Sequence, residues 1–300
     1  MAFDTPVKPE PTPAGWRAWR DRVLQHETLN YALTNHVPRV ALTLLIGRLS
    51  RIDSPAFTRL AVAVWRWFAD LDLSEAAAAE YRSLRDVFTR ALRAGARPFD
   101  PDPQVLCSPC DAIVGACGDV HGTTVWQAKG MPYRLEDLIG PEAAAVHANG
   151  RFITLRLTST MYHRFHAPAD LRVRRVRYVS GDVFNVNPPA LRRIPALFCR
   201  NERALIEATL PDGSPIALVP VAAILVASIR LHFLDVTLHL RWRGPHELPC
   251  DVRLSRGQEM GWFEHGSTII LFVPAHWRLA DGVESGRTIR AGQALWQRED

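Results

Sequence analysis

Lysine is nearly absent. Of 36 basic residues only Lys8 and Lys129 are lysine, which leaves two anchors at most for any lysine-bound cofactor and singles out Lys129. Cysteine is scarce and irregular: Cys107, Cys110, Cys117, Cys199 and Cys250. An odd number without regular spacing excludes a disulfide framework. A basic head followed by an apolar run is also missing from the first residues, so the expectation is a reducing compartment with free thiols. No long apolar run exists. The longest uncharged stretch, Gly213 to Ile229, has 17 residues and contains Pro215 and Pro220, short of the about 20 that a spanning helix needs. No internal repeat is present. What remains is an ordinary globular composition of 300 residues, 47% apolar and 22% charged, large enough for a substantial core. The net charge of +5 suits an anionic partner: a nucleic acid, a membrane surface or a phosphate-bearing substrate.

The chain changes character part-way. Residues 1–15 carry four prolines and read as a mobile arm. From residue 16 to 95 the reading is helical, with Val40, Leu44, Leu45, Leu49 and then Leu60, Val64, Trp67, Phe68 at helical spacing. Ser74 ahead of the alanine-rich run Glu75–Glu80 suggests a capped helix start. Residues 95–103, rich in Gly, Pro and Asp, suggest a boundary. Beyond it Arg151–Thr158, Asp235–Arg241 and Thr268–Val273 read as strands, interrupted by one helix from Leu135 to about His147. The expected class is α+β: a helical region, then a β-rich body over 96–300 of mainly antiparallel sheet. Between His36 and Phe68 five arginines face one aspartate, among Trp65, Trp67 and Phe68. Such a helix either lies in a lipid headgroup layer or caps the β body with its apolar stripe.

Three clusters carry possible chemistry. Cys107, Cys110, Cys117 and His121 have a loose zinc-like spacing, but Asp111–Gly115 between them reads as strand, so inert thiols and no metal are expected. His163 and His166 in Tyr162-His-Arg-Phe-His-Ala-Pro168 suit acid–base work near neutral pH, or a pair of structural histidines. His265-Gly-Ser-Thr268 precedes an apolar run and by itself is turn chemistry.

Taken in order, the fragments say more. Ser108-Pro-Cys-Asp111, Gln127-Ala-Lys-Gly130, Leu135-Glu-Asp-Leu-Ile-Gly140, the two-histidine motif, Gly181-Asp-Val-Phe-Asn-Val-Asn-Pro188, Asn201-Glu-Arg203, Gly257-Gln-Glu-Met-Gly261 and Gly266-Ser-Thr268 follow one another along the chain. This succession resembles the phosphatidylserine decarboxylase proenzymes, from about Val37 to Val273 and more weakly to the C-terminus. Two positions depart from the family pattern: Ala112 where glycine is usual, and His265 where leucine is usual.

The resemblance implies a self-cutting serine proenzyme. Ser267 is the nucleophile, His166 its base, and Asp111 the acid that orients the imidazole. Ser267 attacks the Gly266 carbonyl to form an ester. Elimination then separates a β chain 1–266 from an α chain 267–300 and converts Ser267 to a pyruvoyl group. That ketone forms a Schiff base with the substrate amine and accepts the electrons released with CO2, the role PLP plays elsewhere. His163 protonates the former α-carbon, and Lys129 is a candidate for the substrate's phosphate or carboxylate. The implied partners are phosphatidylserine in an anionic membrane surface, the chain's own two fragments and a second αβ unit in a homodimer, without nucleic acid. The implied location is peripheral, on the cytoplasmic face of a membrane. A serine hydrolase using Asp111, His166 and Ser267 without chain cleavage, and a non-catalytic membrane-binding relative, remain as alternatives.

Overall fold

The computed structural model describes residues 37–225, 228–264 and 267–299. The proline-rich arm, the first part of the helical reading, His265 and Gly266 lie outside them.

Helices form early in the chain where caps and prolines permit. Helix α1 spans Arg39–Leu49 and α2 spans Pro55–Phe68. Helix α2 starts sharply because Ser54 accepts a hydrogen bond from the Phe57 N–H and Pro55 occupies the first turn. A third, α3 (Leu84–Phe88), opens on a reciprocal capping box between Ser83 and Asp86. The alanine run after Ser74 is not helical. There the Ser74 N–H is taken by the Asp72 side chain, and the backbone pairs with the segment ahead: Ala77 N–H to Ala91 and Arg93 N–H to Glu75. Long-range pairing outweighs the intrinsic preference of alanine for helix. Residues 95–103 are tied to the body, since Asp100 N–H bonds the Gly292 carbonyl and Arg97 binds Asp111.

Strands follow: β1 (Val105–Cys107), β2 (Ala112–Asp119), and the hairpin β3 (Thr124–Ala128) with β4 (Met131–Arg134). The helix expected over 135–147 is two, α4 (Leu135–Ile139) and α5 (Pro141–Val146). Gly140 between them has φ +82°, and Pro141 cannot continue α4. Next come β5 (Arg151–Leu157), β6 (Arg164–His166) and β7 (Leu171–Val179), then α6 (Pro188–Leu191) and α7 (Leu197–Arg200). The rest is β8 (Arg203–Thr209), β9 (Pro215–Val221), β10 (Ile229–Leu231), β11 (Val236–Leu238), β12 (Glu247–Leu254) and β13 (Glu259–Phe263). The last four are β14 (Ser267–Val273), β15 (Trp277–Leu279), β16 (Thr288–Ile289) and β17 (Ala294–Arg298).

Eight strands form one sheet in the order β12-β7-β8-β9-β14-β5-β2-β16, and four form another, β11-β10-β13-β6. Every pairing between the named strands is antiparallel. The α+β class is therefore correct. Strand β14 is buried at every position and runs between β9 and β5 in the large sheet. Strand β13 belongs to the smaller one, so the chain changes sheet between Phe263 and Ser267. Gly261 allows this close packing, because a Cβ there would sit 1.8 Å from the Arg230 carbonyl oxygen.

The helical region is tied to this body. Arg39 pairs with Asp182 through two hydrogen bonds of 3.1 and 2.7 Å. Thr43 Oγ1 accepts from the Leu225 N–H at 2.9 Å. The apolar stripe read from the sequence, however, points away from the β body. Leu60, Val64, Trp67 and Phe68 are 48–65% exposed, whereas Trp65 turns inward onto Phe88, ring centroids 4.4 Å apart. The plain capping arrangement, stripe against body, is not what the helix adopts. Among the described residues no helix is long and apolar enough to cross a membrane.

Candidate active site

Ser267 is the first residue of β14 and pairs with Leu157 at the end of β5. Four residues earlier, the Phe263 N–H bonds the His163 carbonyl at 3.0 Å. Phe263 is thus held by His163 and Ser267 by Leu157, so both residues are tied to the segment 157–163. The Ser267 side chain is fully buried, and its Oγ has no hydrogen-bond partner among the described residues. A buried hydroxyl left unpaired costs free energy, on the order of 1–3 kcal/mol, and the neighbouring Thr268 and Thr154 hydroxyls are unpaired in the same way.

His163 is fully buried, edge-on to Phe88 at 5.9 Å. Burial, reinforced by the nearby Arg90 guanidinium, holds its imidazole down at about 3. The expectation of a group titrating near neutrality is therefore corrected: His163 is neutral at pH 7 because the site is dry. His166 is bound on both ring nitrogens, Nδ1 to the Gly257 carbonyl and Nε2 to the Tyr162 hydroxyl, each at 3.0 Å. A carbonyl can only accept, so Nδ1 carries the proton and Nε2 accepts from Tyr162. Burial, the largest effect, lowers the pKa of His166 as well and raises that of Tyr162, which keeps the phenol protonated as the donor.

Asp111 does not touch His166. Its carboxylate takes two hydrogen bonds from Arg97, at 2.8 and 2.6 Å, and one from the Ala291 N–H at 2.9 Å. The expected orienting contact is not made, because a guanidinium fork outcompetes a single imidazole N–H for both carboxylate oxygens. Asp111 and Tyr162 do line one small cavity of about 130 Å³, together with Glu75, Arg90 and Arg97. The order in space is therefore Arg97, Asp111, cavity, Tyr162, His166. Arg97 and Tyr162 are the members that sequence reasoning missed as functional. Tyr162 was visible in its motif, but no local spacing connects Arg97 to Asp111.

A larger cavity of about 660 Å³ opens beside the end of β5. Its walls are mainly apolar, with Ile46, Phe57 and Trp65 from α1 and α2 facing Leu157, Phe88 and Val186. Phe88, which touches His163, joins this cavity to the buried site.

The sequence profile described as phosphatidylserine decarboxylase matches residues 84–297. The chain belongs to the phosphatidylserine decarboxylase family. It is 35% identical over 292 residues to a phosphatidylserine decarboxylase proenzyme of Shewanella baltica, covering 91% of this chain and 98% of the relative. It is 34% identical over 272 residues to that of Brevibacillus brevis, covering 88% and 95%. With that of Halorhodospira halophila the identity is 41% over 239 residues, covering 75% and 78%. Membership makes the protein a decarboxylase of proenzyme type.

Family motifs take defined places in the fold. Gln127 is structural: its amide binds the Leu191 and Ile194 carbonyls and the Leu197 N–H. Lys129 sits in the exposed turn between β3 and β4 and lines neither cavity, so the structure gives it no place in the site. Asn201 clamps Phe184 and Ala222. Ala112 is buried in β2 and is not among the residues with positive φ, so alanine serves there without strain. His265 lies outside the described residues. Cys107 and Cys110 are buried free thiols, and burial raises both of their pKa values.

The buried histidines predict a pH dependence. His163 at about 3 and His147, held near 4 by burial, both take up protons more readily when unfolded, near 6.5. Stability is then intact above pH 6.5 and falls as pH drops toward 4, by about 1.4 kcal/mol per pH unit for each group. Glu202, pushed up to about 7 by burial, opposes one of the two. Urea unfolding at pH 7.5 and pH 5 should show the protein weaker at pH 5, with a smaller loss in His147→Gln.

Proposed function

We propose that this protein is a self-processing decarboxylase acting on phosphatidylserine at a membrane surface. The observation that carries the reading is Ser267: a buried hydroxyl, unpaired among the described residues, on the first residue of β14, where the chain passes between sheets. Its Oγ would add to the carbonyl of the preceding residue, the peptide C–N bond would break, and an ester would form. Elimination then breaks the bond from Cβ to Oγ. Hydrolysis of the resulting dehydroalanine, with loss of ammonia, leaves a pyruvoyl group at position 267. The full burial of Ser267 fits a group made in place from the backbone, since no separate cofactor needs to enter. When formed, that group supplies an electron sink for the carboxyl carbon's departing bond.

The remaining residues have separate duties. His166 Nε2 is an unprotonated acceptor, and to take the Ser267 proton it must exchange the Tyr162 hydroxyl for the serine one. Asp111 acts through Arg97 and through Ala291, so it ties the segment before the cut to the segment after it. The fragment 267–300 contributes β14 to the large sheet and β17 against β1, which would keep the two chains together after cutting. His163, neutral and dry beside Phe88, would present an N–H hydrogen-bond donor, and to protonate the former α-carbon it would first have to take up a proton, which burial disfavours.

The outward stripe on α2 supports the membrane part. This helix is apolar both toward the cavity and away from it, interrupted by the exposed Arg59 and Arg66. A helix apolar on both faces needs a second apolar covering, and flanking arginines suit anionic headgroups. Replacing Leu60 and Trp67 together by Ser should weaken binding to anionic vesicles roughly a hundredfold, with cutting unchanged, as sedimentation and gel analysis would show.

Intact mass tests the function directly. The purified protein should give two chains, with a blocked N-terminus on the smaller. Phenylhydrazine should add to that fragment and stop CO2 release from phosphatidylserine. A single intact chain that resists phenylhydrazine would favour the serine hydrolase reading.

A further inference from the structure

Arg156 is the one ionisable residue among the described residues lining the 660 Å³ cavity. It is half-buried on β5, directly across from Thr268 and next to Leu157, the partner of Ser267. Most arginines among the described residues are paired. Arg39, Arg51, Arg85, Arg97, Arg164 and Arg175 each have a carboxylate partner. Arg156 has neither a hydrogen-bond nor an ion-pair partner for its guanidinium among the described residues, and burial lowers its pKa. A partly buried guanidinium without an anion is under-compensated, and here it stands on an apolar cavity wall one position along β5 from the residue paired with Ser267.

We infer that Arg156 is the anion-binding residue of the substrate cavity and that it holds the phosphodiester of the phospholipid. This rests on the reading given under Proposed function and names the group that Arg156 grips. A guanidinium fork matches phosphate oxygens, and the apolar walls suit the glycerol and first acyl carbons of the same molecule. The substrate's carboxylate is the other anion within its chemistry. An ion pair there would stabilise the ground state and vanish as neutral CO2 forms, which raises the barrier instead of lowering it. Phosphate keeps its charge throughout, so a contact to it anchors the lipid without opposing the reaction.

The test compares two short-chain lipids that lack a carboxylate and a primary amine: dihexanoyl phosphatidylcholine and dihexanoylglycerol. Trp65 on the cavity wall reports occupancy by fluorescence, so binding is read without any decarboxylation and on cut or uncut protein alike. The wild-type protein should bind the phosphodiester tenfold or more tighter than the diglyceride, in line with a charged hydrogen bond. Arg156→Met should abolish that preference, and Arg156→Lys should keep part of it. In the mature enzyme Arg156→Met should raise KM for dihexanoyl phosphatidylserine at least tenfold, with kcat within about threefold. Equal affinity of the wild-type protein for both lipids would overturn the inference without any variant. So would a preference that persists in a folded Arg156→Met protein, or a kcat that rises well beyond threefold together with KM, which would place Arg156 on the carboxylate. Failure of self-cutting would leave the fluorescence result standing, so the two readings fail separately.

Discussion

Ser267→Ala is expected to leave a single chain of 33.6 kDa, with no pyruvoyl group and no decarboxylation. The hydroxyl is the only part of residue 267 that can attack the preceding carbonyl, and alanine removes it while filling nearly the same volume. The rest of β14 needs nothing from that oxygen, since Oγ has no hydrogen-bond partner among the described residues. Replacing an unpaired buried hydroxyl by a methyl group should hold or slightly raise stability. The variant should therefore fold, bind vesicles through α2 and melt no lower than the uncut wild type. Denaturing gels and intact mass settle the first point, and thermal unfolding settles the second. Two-chain processing in Ser267→Ala would remove Ser267 from the chemistry altogether.

Arg51→Met combined with Arg85→Met is expected to destabilise the protein severely and to slow cutting. Glu264 lies three residues before Ser267 with a fully buried carboxylate. It is held by Arg51 at 3.0 Å and Arg85 at 2.7 Å, one from the end of α1–α2 and the other from α3. Removing both cations strands a buried negative charge, a loss of about 3–5 kcal/mol for broken buried pairs. Opening the segment that leads to Ser267 would relieve that cost, and opening should disturb the geometry of attack. Adding Glu264→Gln to the double variant should restore much of the stability and of the cutting rate, because the uncompensated charge is gone. Melting temperature and the rate of appearance of the smaller chain measure both effects. If the double variant melts and cuts like wild type, the clamp has no such role. The same geometry limits charge-reversal tests of membrane binding. Arg48, Arg59 and Arg66 are exposed and can be reversed freely, whereas Arg51→Glu would set a carboxylate against Glu264.

Local pattern was enough to name the candidate residues and the α+β class. Ser267, His163, His166 and Asp111 are legible because their motifs are contiguous, and β5 and β14 because their apolar patterns are local. Helices α1 and α2 were legible for the same reason: residues three and four apart share a face whatever lies around them. Tertiary structure alone decided which neighbours those residues have. Asp111 reaches Arg97 instead of His166, Tyr162 takes His166, and Glu264 takes two arginines more than 170 positions away. It also decided that the stripe on α2 faces outward, that the run after Ser74 pairs as extended backbone, and that His163 is too dry to hold a proton at pH 7. The physical reason is common to all of these. Periodicity records that a face is apolar or that a group can ionise. Desolvation, partner choice and the direction a face turns depend on what the rest of the chain packs against it.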